Sequence, residues 1–188
     1  VSEPGRRRVA PWIALAAAAV LGTLLVVLAI SSDSGSNADG NSFRLGKPAP
    51  LVTGTTLDGQ PFDLARRKGS WVVLNFFQST CVPCKAEHPD LVQFVEQQRE
   101  LGADGAEFYT VAQLPDTDEK VRAFFTENGG DWPVVRDYDG SIAVAFGTAL
   151  VPETWIIDPN GIVRTRFPGQ VDFTTLATTM QQLRVAFG

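Results

Sequence analysis

Cys81 and Cys84 are the only two cysteines of the 188-residue chain, and they stand two residues apart in Cys81-Val82-Pro83-Cys84. The run before them, Trp71-Val72-Val73-Leu74-Asn75-Phe76-Phe77, is rich in β-branched and aromatic side chains and reads as a buried strand. The next segment, from residue 82 through about Leu101, reads as a helix with Leu91, Phe94 and Val95 on one face. Thiols at i and i+3 of a first helical turn lie one above the other and can close a small disulfide. The free N–H groups and positive end of the helix favour thiolate over thiol. Cys81 is then expected to be the exposed nucleophile and Cys84 the more buried resolving thiol. A static staple is a poor use of this pair, because so short a loop restrains little unfolded-chain entropy. A zinc site needs about four ligands. The chain has no second cysteine pair, and its one histidine is His88.

The elements that must position this pair begin with an apolar segment. Residues 9–30 carry no charge. At about 1.5 Å per residue they reach about 33 Å, enough for a hydrocarbon core of about 30 Å. They read as an uncleaved transmembrane anchor. The competing reading is a cleaved signal peptide, with Arg6, Arg7 and Arg8 as its basic start, although such apolar regions usually run about 7 to 15 residues. Those arginines precede the span and place residues 1–8 in the cytoplasm and the rest of the chain outside. Residues 31–42 have Ala38 as their only apolar side chain and read as a flexible tether of about 20 Å. Residues 43–188 suit one domain with one core. The net charge is −5 and the basic terminus is positive, so the outer part is more acidic still. That argues against nucleic acid or anionic lipid as a partner.

Within the domain, segments 51–56 and 60–64 flank Leu57-Asp58-Gly59, a hairpin signal. A strand is expected at 107–112, a helix at 117–128 ending on Gly129-Gly130, a short strand at 133–135 and a short helix at 141–146. Strands at 154–158 and 162–167 meet through Pro159-Asn160-Gly161, and a helix at 173–187 closes the chain. Strands alternating with helices, then a hairpin, give an α/β fold with a mixed sheet covered on both faces.

Several separated segments resemble the thioredoxin superfamily and, within it, the membrane-anchored TlpA/ResA/CcmG (DsbE-like) thiol-disulfide oxidoreductases. Leu74-Asn75-Phe76-Phe77 together with Cys81-Val82-Pro83-Cys84-Lys85-Ala86-Glu87-His88-Pro89 is similar to that family's strand, redox motif and helix start. Pro89 matches the proline that kinks the active-site helix. Val151-Pro152-Glu153-Thr154-Trp155-Ile156-Ile157-Asp158 resembles the segment that carries the superfamily's cis-proline, and Asn160-Gly161-Ile162-Val163 the hairpin after it. The resemblance spans about residues 46–169 and implies a thioredoxin-like fold with an added N-terminal β-hairpin. One departure lies beside the nucleophile: the family usually has tryptophan immediately before the first cysteine, where this chain has Ser79-Thr80.

By the resemblance, Asn75 stands where thioredoxin itself has an acid, and Glu87 is the matching acid of the anchored family. Glu87 is three residues beyond Cys84, on the same helical side, where a carboxylate withdrawn from water has a raised pKa and can move protons. The alternative is a solvated helix carboxylate. His88 is expected on the surface. Pro152, as a cis residue, would present the Val151 backbone to an extended substrate strand. Glu153 either modulates that groove or is a strand-edge charge. Trp71, Trp132 and Trp155 are expected to pack in the core or its rim.

The expected activity is disulfide exchange on exported proteins, with Cys81 attacking, Cys84 resolving and Glu87 relaying protons. No cofactor is required, since the thiols hold the electrons. The resemblance implies reduction of apocytochrome c before haem attachment, with electrons from a membrane thiol donor. Three alternatives remain open. One is the reverse chemistry, an extracytoplasmic disulfide-forming oxidase. Another is a peroxiredoxin-type peroxidase, although Gln78 stands where that family has Thr or Ser before its cysteine. The third is a copper-delivery module, for which His88 comes too soon after Cys84.

Overall fold

The computed structural model describes residues 19–23 and 44–188. Residues 19–23 are helical, and among the described residues no helix is long and apolar enough to cross a membrane. The basic terminus expected at 1–8, the tether at 31–42 and the rest of the span expected at 9–30 lie outside the described residues.

From residue 44 onward the chain builds a thioredoxin-like α/β domain. Strands β1 (Thr53–Thr56) and β2 (Pro61–Asp63) form the N-terminal antiparallel hairpin. Its turn closes on Gly59, whose φ of +79° is open to glycine at no steric cost. Next come β3 (Val72–Phe77), helix α1 (Val82–Glu100), β4 (Glu107–Gln113), α2 (Asp118–Asn128) and β5 (Val134–Asp137). A short helix α3 (Ser141–Phe146), the β6 (Glu153–Ile157) and β7 (Val163–Pro168) hairpin, and α4 (Phe173–Phe187) complete the chain. The strands make one seven-stranded sheet in the order β2-β1-β5-β4-β3-β6-β7. β3, β4 and β5 run parallel, and the remaining pairs are antiparallel.

β3 lies inside this sheet, between β4 and β6, and all six of its residues are buried. Alternation along a strand sends its side chains to opposite faces. Val72, Leu74 and Phe76 join Phe146 of α3, Tyr109 and Trp155 on one face. Val73 meets Leu91 and Phe94 of α1 with Leu176 and Met180 of α4 on the other. The same period turns Asn75 toward the α1 side, where a buried amide requires partners.

Two boundaries differ informatively from the sequence reading. β5 extends to Arg136 and Asp137, beyond the expected limit at Val135. Both are buried, and both are satisfied across elements: Arg136 pairs with Asp118 at 2.7 Å, while Asp137 accepts the amides of Ile142 and Ala143 at 3.0 and 2.9 Å. β1 begins two residues late, leaving Leu51 exposed.

Trp155 is fully buried against Phe146, with ring centroids 5.4 Å apart, and its indole donates to Glu153 at 2.7 Å. Trp155→Ala should therefore lower unfolding stability by about 3–5 kcal/mol, read as a shift in the urea midpoint of the oxidised protein.

Candidate active site

Phe77 ends β3, and four residues later Cys81 occupies the N-cap of α1. Its sulfur accepts the Cys84 amide at 3.2 Å, taking one of the donors that a helix start leaves without an intrahelical partner. The two sulfurs are joined in a disulfide, so the structure holds the oxidised pair. Cys81 is half-buried and Cys84 is 1% exposed, the order required if Cys81 attacks and Cys84 resolves. Cys84 packs with Phe77, Val121 and Phe124 in a small apolar cluster bordered by Cys81 and Val151. The Cys81 sulfur lies 3.6 Å from the Val151 carbonyl oxygen. Val151-Pro152 is a cis bond, and this loop leads directly into β6. A second cis bond, Leu114-Pro115, carried no signal in the sequence reading.

Below the disulfide, Glu87 has no exposed surface. Its Oε1 accepts the Asn75 amide at 2.9 Å and its Oε2 accepts the Val171 backbone amide at 3.0 Å. The same Asn75 amide donates to Thr154 Oγ1 at 3.0 Å. The carboxyl thus joins β3, α1 and the segment before α4. Loss of water pushes its pKa up to about 7, against the opposing pull of the Val171 and Asn75 donors, with Asp90 adding a smaller upward push. A carboxyl poised there takes up and releases protons near neutral pH. The Val171 and Thr154 contacts escaped the sequence reading, because one is a backbone amide and the other lies on a different strand.

Two expectations are corrected. His88 is not a surface residue. It is 3% exposed, its ring sits against Phe124, Phe125 and Trp132, and its Nε2 donates to the Gly129 carbonyl at 2.9 Å. Burial lowers its pKa, while the Gly129 bond opposes that shift. The signal was available: Cys84, His88, Leu91 and Val95 keep to the helical period and form one buried stripe. Glu153 is neither a groove residue nor an edge charge. Its side chain points to the sheet face away from α1, is 2% exposed, and binds Arg166, Thr148 and Trp155 at 2.6–2.7 Å. Trp71, Trp132 and Trp155 are core residues, as expected. Among the described residues no cluster of three or more His, Cys, Asp or Glu could hold a metal ion.

Comparison with known proteins agrees with this geometry. Residues 45–166 match the AhpC/TSA family. The thiol-disulfide oxidoreductase ResA of Bacillus anthracis is 29% identical over 133 residues, covering 71% of this chain and 75% of that protein. A thiol:disulfide interchange protein DsbE homolog of Paracoccus denitrificans is 32% identical over 131 residues, 68% of each chain. A secreted Mycobacterium tuberculosis disulfide oxidoreductase homologous to E. coli DsbE superposes with a TM-score of 0.63 at 25% identity, covering 71% of this chain and 96% of that one. A half-buried helix-capping cysteine, its buried partner and the cis-proline loop beside them define a thioredoxin-like redox protein. The chain belongs to the AhpC/TSA family and, within its thioredoxin-like fold, is a thiol-disulfide oxidoreductase of the ResA and DsbE type.

The Glu87 shift sets a pH signature. A carboxyl that binds its proton more tightly in the folded state favours that state fully below pH about 4.5, and loses the contribution as pH rises to about 7. His88 acts oppositely, favouring the folded state above its ordinary value of 6.5 and losing that as pH falls. Comparing wild type with Glu87→Gln isolates the first effect. Between pH 4.5 and 7 the stability difference should drift in favour of the variant, by at most about 3 kcal/mol, in urea titrations at each pH.

Proposed function

We propose that this protein is a membrane-anchored, extracytoplasmic reductant that opens disulfides of exported proteins, apocytochrome c among them, during cytochrome c maturation. The observation that carries the chemistry is the half-buried Cys81 sulfur at a helix N-terminus, 3.6 Å from the Val151 carbonyl, with the buried Glu87 carboxyl on the same helix. The reductive role rests on similarity to ResA and DsbE proteins and on the Asn75, Glu87 and Val151-Pro152-Glu153-Thr154 matches. Outward placement rests on Arg6, Arg7 and Arg8 before the apolar residues 9–30.

In the reduced protein, the Cys81 thiolate attacks a substrate disulfide, forms a mixed disulfide and releases one substrate thiolate. Cys84 then gives up its proton to Glu87 and attacks the Cys81 sulfur. The Cys81–Cys84 disulfide closes, the second substrate thiolate leaves, and the substrate has gained two electrons. Glu87 returns its proton to a departing thiolate. The Val151 backbone holds the substrate strand beside the sulfurs. A membrane thiol donor restores the dithiol, and the cycle needs no further cofactor.

Cys84→Ser should accumulate mixed disulfides with exported proteins, while Cys81→Ser should accumulate none and lose exchange, as read on non-reducing gels after acid quenching and alkylation. Adducts on the Cys81 variant instead would reverse the two roles. Equilibration with dithiothreitol or glutathione buffers should place the pair near the reducing end of the superfamily, roughly −270 mV, and not near the oxidant end at roughly −120 mV. Deleting the gene should lower holocytochrome c, and added small thiols should restore it. An oxidant potential, with cytochromes normal after deletion, would identify a disulfide-forming oxidase.

A further inference from the structure

The loop that delivers Cys81 is fastened at a point that neither the cysteine motif nor the family match singles out. Residues 78–81 join β3 to α1, and residues 114–117 join β4 to α2. β3 and β4 are parallel neighbours, so the two loops emerge side by side at the carboxyl ends of their strands. Asp116 is 5% exposed and Ser79 7% exposed. One carboxylate oxygen of Asp116 accepts the Ser79 backbone amide, and the other accepts the Ser79 hydroxyl at 2.7 Å. A second tie runs beside them, in which the Gln78 side-chain amide donates to the Leu114 carbonyl. Asp116 is itself held from beneath. Its carbonyl accepts from Arg136 at 2.6 Å, and the same guanidinium binds the Ala112 carbonyl and the Asp118 carboxylate at 3.1 and 2.7 Å. Arg136 is 3% exposed, which leaves the group little freedom to move.

We propose that Asp116 is a positioning residue for Cys81, acting through Ser79. The Cys81 sulfur benefits from the helix start only while it stays in the N-cap position. That position is set by the loop: Cys81 N–H donates to the Gln78 carbonyl at 3.1 Å, and the Cys81 carbonyl accepts Lys85 N–H at 3.1 Å. In this chain the residue before Cys81 is the exposed Thr80, which supplies no aromatic packing to hold the loop. The two Ser79–Asp116 bonds do so instead. Without Asp116, the Ser79 amide becomes a buried donor with no acceptor, and the loop must shift to reach water. The inference rests on thiol-disulfide exchange at Cys81 and holds for either direction of electron flow.

Geometry and bare charge predict opposite results. A nearby carboxylate acting by its charge alone would disfavour the Cys81 thiolate, so its removal would speed reaction. As a positioning group its removal slows it. The test uses the full-length protein in detergent, reduced, at one fixed pH, with wild type, Asp116→Asn, Ser79→Ala and the double variant. Iodoacetamide alkylation of Cys81 should slow about twofold to fivefold in Asp116→Asn, the range a weakened helix-terminus interaction supplies. Ser79→Ala, which keeps the charge and the fold's volume, should slow it in the same direction. The double variant should be no slower than Asp116→Asn, because the hydroxyl bond that Ser79→Ala removes is one of the two bonds that Asp116→Asn weakens. Faster alkylation in Asp116→Asn, or unchanged alkylation in Ser79→Ala, would overturn the proposal. So would additive losses in the double variant. Exchange with a disulfide substrate, run on wild type in parallel, separates the two readings. An inactive wild type would fail the functional assignment, whereas wild-type rates in all variants would fail only this one.

Discussion

Glu87 places a carboxyl where no water reaches, and a group of that kind survives in a fold only with hydrogen-bond partners around it. Three separate parts of the chain must meet to supply them. Asn75 comes from β3, the Val171 amide from the segment before the last helix, and the carboxyl from the second turn of α1. Moving any one of these leaves a buried polar atom unpaired. The same constraint holds α1 over β3 and therefore holds the cysteine pair over the end of that strand. Desolvation then raises the carboxyl into the neutral range. Stability and chemistry draw on a single arrangement here.

The opposite sheet face carries a second buried acid that does something different. Glu153 meets Arg166 at 2.6 Å, with the Thr148 hydroxyl and the Trp155 indole filling its remaining acceptor positions. Such a pair contributes little net stability against a well-packed apolar alternative, but it defines geometry firmly because breaking it leaves a buried charge. Glu153 comes directly after the cis Val151-Pro152 bond, so the loop beside the thiols leaves from a rigid base. The two acids lie on opposite faces of the sheet, which explains why one neighbours the cysteine pair and the other does not.

Active groups gather where β3 and β4 end and their loops emerge, the usual location for a site on a parallel sheet. The helix start supplies partial positive charge to the Cys81 sulfur, and the flanking loop supplies the Val151 carbonyl. Cys84 is walled off by Phe77 and Phe124. One sulfur is thereby partly exposed and the other enclosed.

Much of this was legible in the letters, because strand and helix periods are local. β3, the helices at 118–128, 141–146 and 173–187, and the hairpin of β6 and β7 fall within a residue or so of their expected limits. The Cys81/Cys84 spacing and the position of Glu87 on the same helix were likewise readable, since i, i+3 neighbours on one helix need no tertiary information. Apart from His88, whose place in the helical period pointed inward, what the sequence could not decide was the surroundings of polar side chains. His88, Glu153, Arg136 and Asp116 look like surface residues by type, yet all four are buried. Each finds partners at least five residues away in the chain, from Thr148 for Glu153 to Gly129 for His88 and Ser79 for Asp116. A charge is solvated or buried according to whether such partners converge on it. Only the packing of strands against helices brings them together.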